Sequence, residues 1–249
     1  MIEIEGLVKR FANRAAVDGL DLKVEPGEIF GFLGPNGAGK TTTVKCITGL
    51  LKPTAGRIRV AGFDTATRTL EAKRSMGLVP DEPFVYPKLT GAEYLRFVGE
   101  LYGVKLDDMR KRIPELFEMF ELTPWGGELV ESYSHGMRQK LVLAGVLLHD
   151  PKVLVLDEPM VGLDPKSGRL VKDIFLKLAE RGTTIFMCTH VLEIAEKLCD
   201  RVGIMIDGRM LACGSLAELQ SQARKQGDLE DIFLSLTGGA EYSALLRHL

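Results

Sequence analysis

Eight consecutive residues, Gly34, Pro35, Asn36, Gly37, Ala38, Gly39, Lys40 and Thr41, constrain this chain more than any other stretch. Their spacing matches G-x-x-x-x-G-K-[ST] in full. Glycines at such positions let successive backbone N–H groups turn inward and form a nest for an anion. Just before the run, Ile29 to Leu33 is a short apolar stretch, as expected of a buried strand. Just after it, residues 41–49 read as a helix, with Gly49 near its end and Pro53 beyond. The helix N-terminus adds its dipole to the nest. Lys40 supplies a point charge suited to β and γ phosphates, and the Thr41 hydroxyl suits Mg²⁺. The loop therefore predicts a nucleotide-phosphate site. It selects neither the base nor the reaction.

A second signal lies far downstream. The segment Val153-Leu154-Val155-Leu156-Asp157-Glu158-Pro159 sets two acids at the end of an apolar strand. Beside a phosphate loop, Asp157 is the expected holder of Mg²⁺, directly or through water. Glu158 is the expected general base on the attacking water.

The rest of the chain bounds the setting. Its 249 residues suffice for one large domain or a domain with a sub-domain. At 45% hydrophobic residues a sizeable core is expected. A net charge of −2 gives no basic footprint for nucleic acid. Cys46, Cys188, Cys199 and Cys213 form no C-x-x-C pair, which fits a reducing cytosol. The opening residues show no signal-peptide pattern. The longest apolar stretch, residues 141–148, is far below the ~20 residues needed to span a bilayer. The chain is expected to be soluble, with any membrane role exerted through a partner.

Patterning divides the chain. Up to Pro80 it reads as strands and turns, including residues 2–11, 19–24, 57–60 and 76–79. Residues 90–150 read as helical throughout. Thr90 to Glu93 forms a capping box, and Pro114 predicts a break or a fresh helix start. Met137, Leu141, Ala144, Gly145 and Leu148 share one helical face. Strand patterning returns at 153–156 and 184–188. Between them Asp164-Pro165 starts a helix whose apolar face is Leu170, Ile174 and Leu178. Residues 202–206 and 210–212 read as a hairpin turning at Asp207-Gly208. Two short helices, 215–224 and 229–236, close the chain.

One further segment names a family. Tyr133-Ser134-His135-Gly136-Met137-Arg138-Gln139-Lys140 resembles the signature sequence of ATP-binding-cassette transporter subunits, in a form common among exporters. The order of phosphate loop, signature, acidic strand, D-loop at Gly162-Leu163-Asp164 and switch histidine at His190 extends the resemblance over nearly the whole chain. It implies an α/β fold: a P-loop NTPase (RecA-like) core with an antiparallel β subdomain and an inserted all-helical subdomain. The implied division is 1–88 with 150–214 for the core, 89–149 for the helical signature subdomain and 215–249 for a C-terminal helical tail. It also implies a homodimer or heterodimer of ATPase subunits with two ATP molecules sandwiched between them. Ser134, His135, Gly136 and Met137 would meet the ATP of the partner subunit. Ser134 can cap the helix that follows, and Gly136 lets a phosphate approach. Phe11 would stack on adenine, Thr42 would join the phosphate loop, and Asp164 would cross to the partner's site. His190 would contact the γ-phosphate and orient water with Glu158.

Two positions depart from the family pattern. Asp81 stands where a glutamine is usual, and its oxygens still suit Mg²⁺. His135 stands where the first signature glycine is usual; it either adds a donor near the phosphate or points away. The resemblance further implies an integral membrane permease, contacted by the helical insert and by residues 81–86. Phe84, Val85 and Tyr86 either line a groove for a short permease helix or pack inside. The tail at 229–239 also resembles exporter subunits. The expected function is ATP hydrolysis energising an exporter at the cytoplasmic face of the membrane. A cassette ATPase remodelling nucleic acid or ribosomes is the alternative.

Overall fold

The computed structural model describes residues 1–12, 14–223 and 225–237. Arg224 of the first tail helix, and Gly238 and Gly239 of the exporter-like tail segment, lie outside them.

Two sheets form the framework. Strands β1 (Ile2–Phe11), β2 (Arg14–Val24), β4 (Ala55–Val60) and β5 (Phe63–Asp64) make an antiparallel sheet in the order β2-β1-β4-β5. Strands β3 (Ile29–Leu33), β6 (Met76–Val79), β7 (Val153–Asp157), β8 (Thr184–Cys188), β9 (Arg201–Ile206) and β10 (Arg209–Gly214) make the second, in the order β10-β9-β3-β8-β7-β6. Five of its strands run parallel, and β10 returns antiparallel on β9.

The apolar runs read from sequence are continuous because both faces of the parallel sheet are covered. Alternate residues split between two cores. Phe30, Phe32, Val153, Val155, Phe186 and Cys188 face the antiparallel sheet, where they meet Ile4, Leu7, Leu22 and helix α1 (Lys40–Ile47). Ile29, Leu154, Leu156, Ile185 and Met187 face the opposite way, into a helical layer. That layer holds α3 (Gly91–Tyr102), α4 (Leu106–Met119), α5 (His135–Leu148) and α6 (Pro165–Glu180). A third cluster packs α7 (Leu192–Leu198), α8 (Leu216–Ala223) and α9 (Leu229–Thr237) beneath β9. The short helix α2 (Thr69–Arg74) leads into β6.

Several local predictions hold. Thr90 caps α3 in a complete capping box with Glu93. Asp164 caps α6. Asp207 and Gly208, at φ +47° and +82°, turn the β9–β10 hairpin. The four cysteines are free.

Others do not. Pro114 neither breaks nor starts a helix; α4 runs through it. Pro114 and Arg110, whose carbonyl loses its helical partner, both lie on the exposed face, where water can accept that role. On α6 the predicted stripe of Leu170, Ile174 and Leu178 does pack on the helical core, but half-buried; the fully buried residues, Ser167, Val171 and Phe175, lie one residue on. Residues 90–150 are not helical throughout: 3₁₀ turns at Thr123–Trp125 and Val130–Ser132 separate α4 from α5. Helices α2 and α7 and strand β5 had no clear sequence signal, because none is long enough to show a period.

Candidate functional site

The phosphate loop leaves β3 near the middle of the six-stranded sheet, at the carboxyl ends of the parallel strands. Ligands of open α/β sheets bind at these ends. Gly39 makes the turn into α1 at φ +109°, and a Cβ there would overlap the Ala16 carbonyl oxygen. Lys40 is 9% exposed and curls back over the loop. Its ammonium donates to the carbonyl oxygens of Gly34 (2.6 Å) and Pro35 (3.1 Å). Of three ammonium donors, the loop therefore engages two.

A cavity of about 330 Å³ opens beside the loop, with Phe11, Arg14, Asn36, Gly37, Thr41 and Thr42 in its wall. Phe11 is half exposed, with the Lys9 ammonium 5.0 Å from its ring centroid. A flat apolar ring at one side and a nest of backbone donors at the other suit a base and its phosphates.

The acids come in on β7. Asp157 ends that strand, and the β6–β7 register pairs Val79 with Leu156. Asp81 and Glu158 thus both lie two residues past the last rung. The consequence is electrostatic. Asp157 is buried, and burial first, then the charges of Asp81 and Glu158, raise its pKa above the usual carboxylate range. Lys40 and a hydrogen bond from the Thr41 hydroxyl pull the other way. A buried carboxylate beside a threonine hydroxyl and pressed by two like charges fits a divalent cation. Among the described residues, no three His, Cys, Asp or Glu side chains form a metal centre by themselves. A cation here would complete its shell with Thr41 and with phosphate oxygens.

Glu158 is held tightly. Its N–H donates to the Cys188 carbonyl at 2.9 Å, one step beyond the β7–β8 ladder. Its φ is +50°, uncommon for a side-chain-bearing residue, and such a conformation costs roughly 1–3 kcal/mol unless its surroundings fix it. The surroundings do fix it. Oε1 accepts from His190 Nδ1 at 2.7 Å, and Oε2 accepts from the Thr189 hydroxyl at 3.0 Å. An ionised carboxylate only accepts, so Nδ1 carries the His190 proton and Nε2 is left outward on a ring that is 65% exposed. Sequence reasoning missed Thr189. Its position beside His190 is the signal that could have found it.

The signature lies at the start of α5. Ser134 Oγ accepts from the Met137 N–H at 3.3 Å, so the predicted cap is made. The ring of His135 lies over Gly162. Gln139, also missed from sequence, is fully buried and donates to the Pro159 carbonyl at 3.3 Å. This bond ties the signature helix to the segment that follows Glu158. Asp164 spends its carboxylate on its own helix, accepting from the N–H groups of Lys166 and Ser167 and from the Ser167 hydroxyl. Those Ser167 bonds hold its pKa below the usual range. Among the described residues, no hydrogen bond joins 134–137 to the phosphate loop of the same chain.

Past Asp81, Phe84 and Tyr86 stand out at 75% and 45% exposure, with Val85 half-buried between them. Tyr86 meets Phe84 and Phe97 edge to face, at 5.9 and 5.2 Å between centroids. No described helix is long and apolar enough to cross a membrane.

The chain is similar to known proteins in sequence and in fold. The ABC transporter family model matches residues 17–161. The linearmycin resistance ATP-binding protein LnrL of Bacillus subtilis is 38% identical over 89% of this chain and 71% of its own length. The daunorubicin resistance ATP-binding protein DrrA3 of Streptomyces coeruleorubidus is 40% identical over 95% of this chain and 74% of its own. An ATP-binding subunit of an ABC transporter superposes with a TM-score of 0.92 at 30% identity, covering 95% of this chain and 99% of that one. A dimeric ATP-binding cassette, in a post-hydrolysis state bound to ADP and Pi, superposes at 0.79 with 25% identity, over 87% of this chain and 99% of that one. The chain belongs to the ABC transporter family and is an ATP-hydrolysing, ATP-binding subunit of the exporter type.

Proposed function

We propose that Glu158 is the general base of ATP hydrolysis in this subunit, with His190 and Thr189 holding its carboxylate toward the attacking water. One observation carries the assignment: a part-buried carboxylate, fixed by two donors, at the end of the strand beside the phosphate loop. Base and phosphates would be received by Phe11 and by residues 34–42. Thr41 and Asp157, with Asp81 beside them, would hold Mg²⁺, which supplies neutralising charge to the phosphates when bound. His190 would present Nε2 to the γ-phosphate.

The other half of the site comes from a second subunit, identical or similar. Ser134 to Met137 would offer the capped N-terminus of α5 to its nucleotide. Asp164 would act in the crossing D-loop by fixing the start of α6. ATP binding would favour the closed dimer and hydrolysis the open one. The exposed aromatics Phe84 and Tyr86, with α3, are the proposed seat of a membrane permease, placing the subunit at the cytoplasmic face of the membrane. Relatives named for linearmycin and daunorubicin resistance and for Nod factor export support export as the direction. Substitution Glu158→Gln is expected to retain ATP binding, abolish phosphate release and accumulate ATP-bound dimer. A variant that hydrolyses ATP at the parental rate refutes the assignment.

A further inference from the structure

We propose that His135 is a positioning residue that couples the signature segment to the chain's own D-loop, and through it to Glu158. The inference rests on the site assignment above. His135 opens α5, and Gly162 lies in the turn before α6. The two segments meet reciprocally. A Cβ on Gly162 would overlap His135 Cδ2 and come within 2.9 Å of Nε2. A Cβ on Gly136 would lie 2.7 Å from the Gly162 carbonyl oxygen. The imidazole thus fills the space over Gly162 that a side chain would take, while Gly136 lets the carbonyl approach.

Gln139, one turn further along α5, holds the Pro159 carbonyl. One helix therefore contacts both ends of the segment from Pro159 to Gly162. That segment is short and internally bonded. The Val161 N–H donates to the Glu158 carbonyl at 3.2 Å, and the Leu163 N–H to the Met160 carbonyl at 3.3 Å. Met160 and Leu163 also pack against the helical core. Two consecutive turns with anchored side chains transmit a push rather than absorb it. Their upstream end is Glu158, whose left-handed backbone leaves little freedom to adjust.

An anion engaging the N-terminus of α5 draws on the N–H groups of that first turn. Any shift of the turn presses His135 on Gly162 and reaches Glu158. In the assembled dimer that anion is the partner's nucleotide. The nucleotide in one site would then set the base of the other site. Glycine at position 135 removes the ring and leaves the close approach of Gly136 to the Gly162 carbonyl in place.

The test is a double-mutant cycle on the full chain, with His135→Gly, Gly162→Ala, their combination, and His135→Phe. Phosphate release is measured against ATP concentration, with binding of a fluorescent ATP analogue measured separately. His135→Gly is expected to lower kcat roughly five- to tenfold and bring the Hill coefficient toward one. His135→Phe, which keeps a ring over Gly162, is expected to restore most of both. Gly162→Ala should cost at least about fivefold less when position 135 is glycine, because its Cβ then has no ring to meet. Additive costs, or a phenylalanine variant that behaves like glycine, overturn the coupling. Absent analogue binding or absent hydrolysis in the parent would instead strike the site assignment itself.

Discussion

Thr189→Val tests how Glu158 is held. Valine keeps the shape of threonine at a site that is 3% exposed, so packing is preserved and the hydroxyl alone is lost. That hydroxyl does two things: it donates to Glu158 Oε2 at 3.0 Å and accepts from the Val191 N–H at 3.1 Å. A hydrogen bond to a charged group is worth about 1.5–3 kcal/mol. Glu158 is only 14% exposed, so water replaces the lost donor poorly, but His190 still holds the other oxygen. Half the bond's worth reaching the transition state gives about 0.8–1.5 kcal/mol, or a roughly four- to tenfold fall in kcat. The Val191 N–H, left without its acceptor, costs a further ~1 kcal/mol of stability, roughly 2–4 °C in a domain of this size. Steady-state phosphate release at saturating ATP, paired with a thermal melt, reads both. KM is expected to stay within about twofold, since the hydroxyl touches the base and not the nucleotide cavity. A variant with parental kcat, or one whose KM rises while kcat holds, refutes the claim that Thr189 positions the base.

Three further outcomes are expected. Asp157 has a raised pKa, so its ionised form costs the folded state above that pKa. The cost is relieved as pH falls through the raised value toward the usual carboxylate range. Asp157→Asn should therefore raise the melting temperature of nucleotide-free protein at neutral pH while abolishing Mg²⁺-dependent hydrolysis; a lower melting temperature contradicts the electrostatic argument. Asp81→Ala should lower ATPase activity and raise the Mg²⁺ concentration needed for half-maximal rate, and an unchanged Mg²⁺ dependence would remove Asp81 from the site. Phe84→Ser with Tyr86→Ser should leave the ATPase of the isolated subunit intact while abolishing copurification with a polytopic membrane protein; retained copurification places the permease elsewhere.

What could be read from the sequence follows how far apart the cooperating residues lie. The phosphate loop, the Thr90 capping box and the Asp207-Gly208 hairpin turn are each specified within a few residues, so local chemistry decides them. The stripe on α6 is different. Leu170/Ile174/Leu178 and Val171/Phe175 are all apolar and all pack on the core, and only tertiary packing buries the second set fully. Pro114 misled because α4 continues through it on an exposed face, where the Arg110 carbonyl that loses its helical donor can bond water instead. The contacts of Thr189 and Gln139 could not be read, even with Thr189 next to His190, because their partners, Glu158 and Pro159, are distant in sequence and reached only through strand register and helix packing. Glu158 was legible locally, as an acid ending an apolar strand in a chain with a phosphate loop, whereas His190 was found through family resemblance.

The register of β6 on β7 bears on how a membrane partner would be heard. Asp81 and Glu158 leave the sheet side by side, and Phe84 lies three residues beyond Asp81. An extended chain covers at most about 3.6 Å per residue, so the aromatic patch is within roughly 11 Å of backbone from Asp81. β6 is moreover an edge strand, bonded on one side only, by β7. A tug on Phe84 would work against a single row of hydrogen bonds and arrive one rung from the hydrolytic carboxylates. The lever between transport and chemistry is thus short and loosely hinged at its side, and a permease movement passed along it would change the spacing of Asp81, Asp157 and Glu158.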